Sequence, residues 1–211
     1  MLALPVIQTE RMHIRPLTPD DLDDVHRTYV DAGWADDTPE VYAEHREYVT
    51  WSSMNHLALA RLYQPPYGER AIVLQASGAF VGMVGLVPAM APFGLLPYYA
   101  NRIAPETAHQ LFPEFGLFWA LRADHRGQGY ATEAARGLID QVFAQLNLMR
   151  IIATTEYDNA ASMAVMRRLG MTIERNPHPD PAYLQVVGIL ENANGRPVNA
   201  ARSDNGETNS Q

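Results

Sequence analysis

The sequence predicts an α/β fold, a mixed sheet with helices packed against it, and three observations predict it. Arg70–Gln75 and Ala79–Val87 are strongly apolar runs flanking Ser77-Gly78, the pattern of a hairpin. The apolar run Phe115–Leu121 ends in a charged turn, then Arg126-Gly127-Gln128-Gly129-Tyr130-Ala131, then an unbroken helical pattern. Arg150–Glu156, a helical stretch capped by Asn159, and Met171–Glu174 give a further strand–helix–strand unit.

Taken in order, Met12–Leu17 alternates apolar and polar residues and reads as the first strand. Thr18-Pro19-Asp20-Asp21 is a helix start: a cap, a proline at the first helical position, and acids where the helix dipole favours them. Leu22, Val25, Tyr29 and Val30 supply its apolar face, and Gly33 ends it. Trp34–Asp37 is a connector. Thr38-Pro39-Glu40 opens a second helix running to about Tyr63, which Gln64–Gly68 breaks.

After the hairpin comes Pro88–Pro113, rich in proline and aromatics and expected to be a lid, a pocket wall or a covered surface. Glu114–Arg122 is the next strand and Gly127 to about Leu146 the next helix. Ala131, Ala135, Leu138, Val142 and Leu146 give that helix one face towards a sheet. After Arg150–Glu156, Asn159 starts a helix that ends with Arg167, Arg168 and Gly170. Met171–Glu174 and Tyr183–Leu190 are the last strands. The expected order is β-α-α-β-β-β-α-β-α-β-β. Residues 1–191 are read as a single domain, and 192–211, almost without large apolar residues, as a disordered tail.

Composition narrows the function classes. The chain has 211 residues and a formal net charge of −8, which argues against nucleic acid or an anionic membrane as partner. It has no cysteine, so disulfides, thiolate metal sites and a cysteine nucleophile are excluded. Its seven histidines show no metal-ligand spacing, so no metal is expected. Met1–Glu10 lacks the features of a signal peptide, and no apolar stretch approaches the roughly 20 residues that span a bilayer; the expectation is a cytoplasmic protein.

Gly127 and Gly129 leave the backbone bare at a helix start, where N–H groups from Arg126 to Ala131 can hold a bulky anion. The same glycines would also serve a tight turn that binds nothing. A P-loop ending is absent, and Thr132 stands where a dinucleotide fingerprint needs Gly or Ala, which disfavours an NAD-type binder.

The segments Glu114–Leu121 and Gly129–Ala134 resemble the GNAT superfamily of N-acetyltransferases, in particular the branch of the RimJ/RimL ribosomal-protein acetyltransferases. Arg126-Gly127-Gln128-Gly129-Tyr130-Ala131 satisfies every position of that superfamily's pyrophosphate loop. Asn159-Ala160-Ala161-Ser162 with Leu169-Gly170-Met171, and the opening Thr9–Leu17, are similar too.

The resemblance implies a mixed, mostly antiparallel twisted sheet with helices on both faces, and acetyl-CoA as co-substrate. Arg126, Gly127, Gln128, Gly129, Tyr130 and Ala131 would cradle the pyrophosphate. Phe118, Trp119, Ala120 and Leu121 would line the pantetheine and thioester, and Asn159 and Ser162 would lie beside them. Asn159 also reads as an ordinary helix cap.

Transfer to an amine requires loss of an amine proton and stabilisation of the leaving thiolate. The resemblance puts the base at Glu114, otherwise a strand-end surface residue. The tyrosine that many family members carry seven residues after the motif asparagine is replaced by Met166, so Ser162 is the preferred acid. Glu133, one turn into its helix, reads as structural.

Trp34, Asp36 and Asp37 sit in the interhelical connector, where the acids would receive a cationic acceptor, either a protein N-terminus or a small-molecule amine; an acidic solvated loop fits the same residues equally well. A homodimer is a family-level expectation. The alternative is a non-catalytic acyl-CoA-binding or regulatory protein that keeps the fold.

Overall fold

The computed structural model describes residues 3–100 and 102–195. One eight-stranded sheet runs through it. Its strands are β1 (Ile7–Gln8), β2 (Met12–Pro16), β3 (Gly68–Leu74), β4 (Phe80–Ala91), β5 (Phe112–Leu121), β6 (Arg150–Thr155), β7 (Thr172–Arg175) and β8 (Val186–Glu191). Their spatial order is β1-β2-β3-β4-β5-β6-β8-β7. All neighbours are antiparallel except β5 and β6. The fold is therefore the mixed sheet that the element order implied, and mostly antiparallel as the family resemblance implied.

The helices are α1 (Leu22–Asp31), α2 (Pro39–Arg61), α3 (Pro97–Ala100), α4 (Tyr130–Leu146) and α5 (Ala160–Leu169). The caps explain the boundaries. Thr38 Oγ1 accepts from the Val41 N–H at 3.3 Å, and Asn159 Oδ1 accepts from the Ser162 N–H at 3.0 Å. Gly170 ends α5 in the left-handed region at φ 83°.

Two apolar layers flank the sheet. On one face Ala134, Leu138 and Val142 of α4 and Val165, Met166 and Leu169 of α5 pack on β2–β6. On the other, α1 and α2 cover β2–β5 through Leu17, Val25, Val49, Ala71, Phe80 and Met83. Beside them Phe93, Leu96 and Tyr99 are buried on Ile152, Val187 and Ile189.

The segment expected as a long loop is thus a packed cap. Short 3₁₀ turns and α3 let it bury its aromatics on β6 and β8. β4 continues past Val87 because β3 ends opposite Leu86. Beyond that point one edge of β4 is open, and Pro88 costs no ladder bond there.

Of the expected tail, residues 196–211 lie outside the described residues. Asn192 is held, its N–H donating to Met149 O at 2.8 Å and its side-chain amide to Leu148 O at 3.0 Å. No helix among the described residues is long and apolar enough to cross a membrane.

Candidate functional site

β5 and β6 share a single register pair, Gly116 with Ile152. Past it the two parallel strands part, and the β5 edge from Phe118 to Leu121 faces no strand on that side. Parallel pairing needs no more than this to hold the sheet, because β5 is fully laddered to β4 from Phe112 to Leu121. The chain then turns through Ala123–His125 and enters α4. Gly127 and Gly129 take φ 75° and 83°, in the left-handed region where a side chain would be strained. No side chain caps α4, so its first N–H groups stay open.

A cleft of 660 Å³ lies where the parted strand edge, the α4 N-terminus and α5 meet. It is lined by Trp119, Ala120 and Leu121 of β5, by Arg126, Gly127, Gly129 and Ala131 of the turn, and by Asn159 and Ser162. Trp34 closes one side. Residues distant in sequence but singled out from it therefore meet in one place.

Several of the other expected residues are placed elsewhere. Phe118 faces α1 and α2, with the Trp34 ring 5.6 Å from its own. The Gln128 carbonyl accepts from Arg11 at 3.0 Å, and the Arg11 guanidinium lies 4.6 Å over the Tyr130 ring. Asp36 and Asp37 are exposed beside Trp34. Asp37 Oδ1 lies 3.2 Å from His26 Nε2, and His26 Nδ1 lies 2.8 Å from His45 Nδ1.

Glu114 does not line the cleft. It is buried on the cap side of β5, where Arg150 Nε donates to both carboxylate oxygens at 2.8 and 3.0 Å and Tyr99 Oη donates at 3.0 Å. Arg150 Nη2 donates as well. Burial opposes the Arg150 charge, but this carboxylate raises its proton affinity above the ordinary arginine value. Arg126 lines the cleft, yet its guanidinium is engaged, donating from Nε to Leu121 O at 3.1 Å and from Nη2 to Asp31 O at 2.6 Å.

Met166, where many relatives carry tyrosine, is fully buried against Gly188 and does not reach the cleft. Thr132, Ala161, Val165 and Arg168 line the cleft without having been singled out. For Val165 and Arg168 the signal was the helical period from Asn159, which puts them on one face with Ser162. Arg168 was read only as a favourable charge at a helix end. Among the described residues no group of three or more His, Asp and Glu could hold a metal ion.

A mostly antiparallel sheet that opens at one parallel pair, beside a bare helix N-terminus, defines the acetyltransferase class of fold. The GNAT acetyltransferase domain matches residues 11–172, and the chain belongs to that family.

It is 39% identical over 60 residues, 28% of this chain, to the uncharacterized N-acetyltransferase YnaD of Bacillus subtilis, and 28% identical over 128 residues, 60% of this chain, to the uncharacterized protein YkkB of the same organism. These matches span 35% and 59% of those relatives.

The acetyltransferase from Agrobacterium tumefaciens has the same fold with TM-score 0.63 at 24% identity, over 91% of this chain and 97% of that one. So does the ribosomal-protein-S5-alanine acetyltransferase from Vibrio fischeri, with TM-score 0.63 at 15% identity over 92% and 100%. RimL, solved in complex with coenzyme A, matches with TM-score 0.56 at 17% identity over 90% and 97%.

Proposed function

We propose that this protein transfers an acetyl group from acetyl-CoA directly to a primary amine, on a small molecule or a protein N-terminus. The carrying observation is the parting of β5 from β6 directly beside the α4 N-terminus, within one cleft. RimL, a protein N-terminal acetyltransferase of the same fold, was solved with coenzyme A, which supports the choice of thioester.

In this reading the N–H groups of the Gly127–Ala131 turn receive the pyrophosphate, and Arg168 at the cleft wall adds a positive charge for the phosphates. Acetyl-CoA supplies the activated acyl group. Unpaired N–H groups on the β5 edge polarise the acyl carbonyl as negative charge develops on its oxygen. The amine first gives its ammonium proton to solvent; the neutral nitrogen forms the new C–N bond, the C–S bond breaks, and the nitrogen's surplus proton also goes to solvent. The Ser162 hydroxyl, on the cleft wall and with its own N–H held by Asn159, is the candidate to protonate the leaving thiolate, and it takes its own proton back from solvent. Glu114, held by Arg150 and Tyr99, is assigned to the fold, and Arg126 to bracing the turn against α1.

Calorimetric titration with acetyl-CoA tests the reading. Saturable binding is expected, and Gly129→Glu, which puts a like charge where the phosphates sit and strains φ 83°, should abolish it. No binding by wild type, or identical binding by the variant, overturns it. The buried Met166 favours a second reading, a binding protein without turnover. Thiol release with any amine of a broad panel rules that out.

A further inference from the structure

A buried carboxylate needs a cation or a full set of donors, because desolvation of its charge is otherwise uncompensated. Asp21 has Arg15 at 2.7 Å, and Glu114 has Arg150. Glu69, on β3, is half-buried with its Oε2 out of solvent, and it has no cation partner among the described residues.

Tyr29 Oη donates to Glu69 Oε1 at 2.6 Å. Oε2 is out of solvent and accepts no hydrogen bond, although the Tyr48 hydroxyl lies close by. Burial pushes the Glu69 carboxyl above its ordinary value, and the Tyr29 and Tyr48 hydroxyls, which favour the charged form, do not offset that. The neighbouring Arg70 is no counter-ion. Its guanidinium donates to the carbonyls of Pro5 and Ile14.

Position matters as much as charge. Glu69 is in register with Gly85, and Gly85 with Phe118 of the parted strand. Two strand spacings put the Glu69 and Phe118 backbones about 10 Å apart on the α1/α2 face. No side chain stands between them. A Cβ at Gly85 would lie 2.2 Å from Gly68 O and 2.9 Å from Glu69 Cα, so β3 closes down on β4 here.

The walls are aromatic. The Tyr29 ring is 5.9 Å from that of Trp34, 4.9 Å from His45 and 6.4 Å from Tyr48, and Trp34 continues to Phe118 and to the cleft. Aromatic faces and one uncompensated carboxylate are what an ammonium ion needs.

We infer that Glu69 is the carboxylate that receives an ammonium group of the acceptor, between Tyr29 and Tyr48 on the far side of Phe118 from the cofactor cleft. The inference rests on the acetyl-transfer reading and specifies its acceptor as a cationic amine. Glu69 positions the amine and is not assigned a proton-transfer role. The ion pair that the fully buried carboxylates Asp21 and Glu114 make within the fold is completed here by the substrate. The titratable groups around it are Tyr29 from α1 and Tyr48 and His45 from α2, with His56 of α2 and Glu69 lining one small cavity. Tyr67 and Arg70 line that cavity too; Arg70, the one fixed cation there, is turned to the Pro5 and Ile14 carbonyls, and burial with the nearby His26 holds His45 below its ordinary value.

The test uses the protein–CoA complex, which cannot react, titrated with butylamine and with its neutral isostere butan-1-ol at pH 7. Butylamine should bind at least tenfold tighter than butan-1-ol. Equal binding, or none by either, overturns the inference without any variant. Steady-state kinetics then use 1,4-diaminobutane, whose one nitrogen can stay protonated on Glu69 while the other, neutral, is acetylated. Glu69→Gln should raise the amine KM at least tenfold with the acetyl-CoA KM unchanged, and Glu69→Asp should fall between. An unchanged amine KM with intact turnover sinks this inference alone. Failure of the wild type to bind acetyl-CoA or to release thiol with any amine sinks the acetyl-transfer reading and this one with it.

Discussion

Glu69 and Glu114 enter the same face of the sheet, two strands apart, and the fold treats them oppositely. Glu114 meets an arginine fork and a tyrosine hydroxyl, so every part of its carboxylate is used. Glu69, half-buried, accepts from the Tyr29 hydroxyl with the Tyr48 hydroxyl close by, and meets no cation. Burial alone therefore does not describe the contrast between them. The difference is whether the chain supplies the cation. Where it does, the group ties β5 to β6 below their point of divergence. Where it does not, the free energy of pairing is left for a ligand.

The strongest way to break that contrast is to take the cation from Glu114. Arg150→Met leaves a carboxylate of 5% side-chain exposure without its counter-charge. Stability should fall by about 3–5 kcal/mol. Adding Glu114→Leu should recover most of it, since a buried pair replaced on both sides by apolar groups is often close to neutral. Urea unfolding of the single and double variants measures both. Acetyl-CoA affinity of the folded single variant should stay at the wild-type value, because neither residue lines the cleft. A loss of affinity would return Glu114 to the catalytic site.

The same operation on Glu69 should have the opposite sign. Its carboxyl is raised by burial, so the stability it contributes is complete below the unfolded value near 4.3 and is lost as pH rises through the folded value. Glu69→Gln should therefore be more stable than wild type at pH 7, on the order of 1 kcal/mol. The gain should close as the pH falls towards 4. A variant that gains stability while losing its amine would identify a group kept for binding at the expense of the fold. Thermal melts across that pH range decide it, and a destabilised variant at pH 7 would place Glu69 with Glu114.

How much of this the sequence carried follows from distance along the chain. The strand, turn and helix from Phe115 to Leu146 and the Asn159 cap are local patterns, and the cleft they form was legible because both ends of it are motifs. Glu69 is a single polar residue after a chain break at Gln64–Gly68, with nothing local to mark it. Its environment comes from Tyr29, 40 residues away, once α1 and α2 have folded over β3. Glu114 was legible as a strand start but not as an ion pair, since Arg150 lies 36 residues on and reaches it only through the parallel pairing of β5 and β6. The aromatics of Pro88–Pro113 left a lid, a pocket wall and a dimer surface equally open. That the cover is β6 and β8, rather than a ligand or a second chain, depends on contacts no local pattern contains.

A third carboxylate sets the lower limit of the comparison. Glu133, on the first turn of α4, accepts from Thr9 Oγ1 at 2.7 Å, from the Arg11 N–H at 2.9 Å and from Arg11 Nε at 2.6 Å. Burial pushes its carboxyl up, but the donors from Thr9 and Arg11 outweigh that and hold it below the ordinary value. The sign is then the reverse of that for Glu69. Its contribution is present above the unfolded value near 4.3 and is lost as pH falls through the folded one. Because Arg11 is 43% exposed, Glu133→Gln should cost only about 0.5–1 kcal/mol at pH 7. That cost should shrink in acid, where the Glu69→Gln gain also vanishes. At pH 7 the two variants should move the melting midpoint in opposite directions; near pH 4 the Glu69 gain should have closed, while the Glu133 cost closes only at lower pH, through its depressed folded value. Movement in the same direction at pH 7 would mean that a counter-ion from the chain is not what distinguishes these carboxylates. Arg11 also holds the Gln128 carbonyl, so the Glu133 variant should in addition bind acetyl-CoA more weakly than wild type, by loosening the turn whose N–H groups face the cleft, while the Glu69 variant should not.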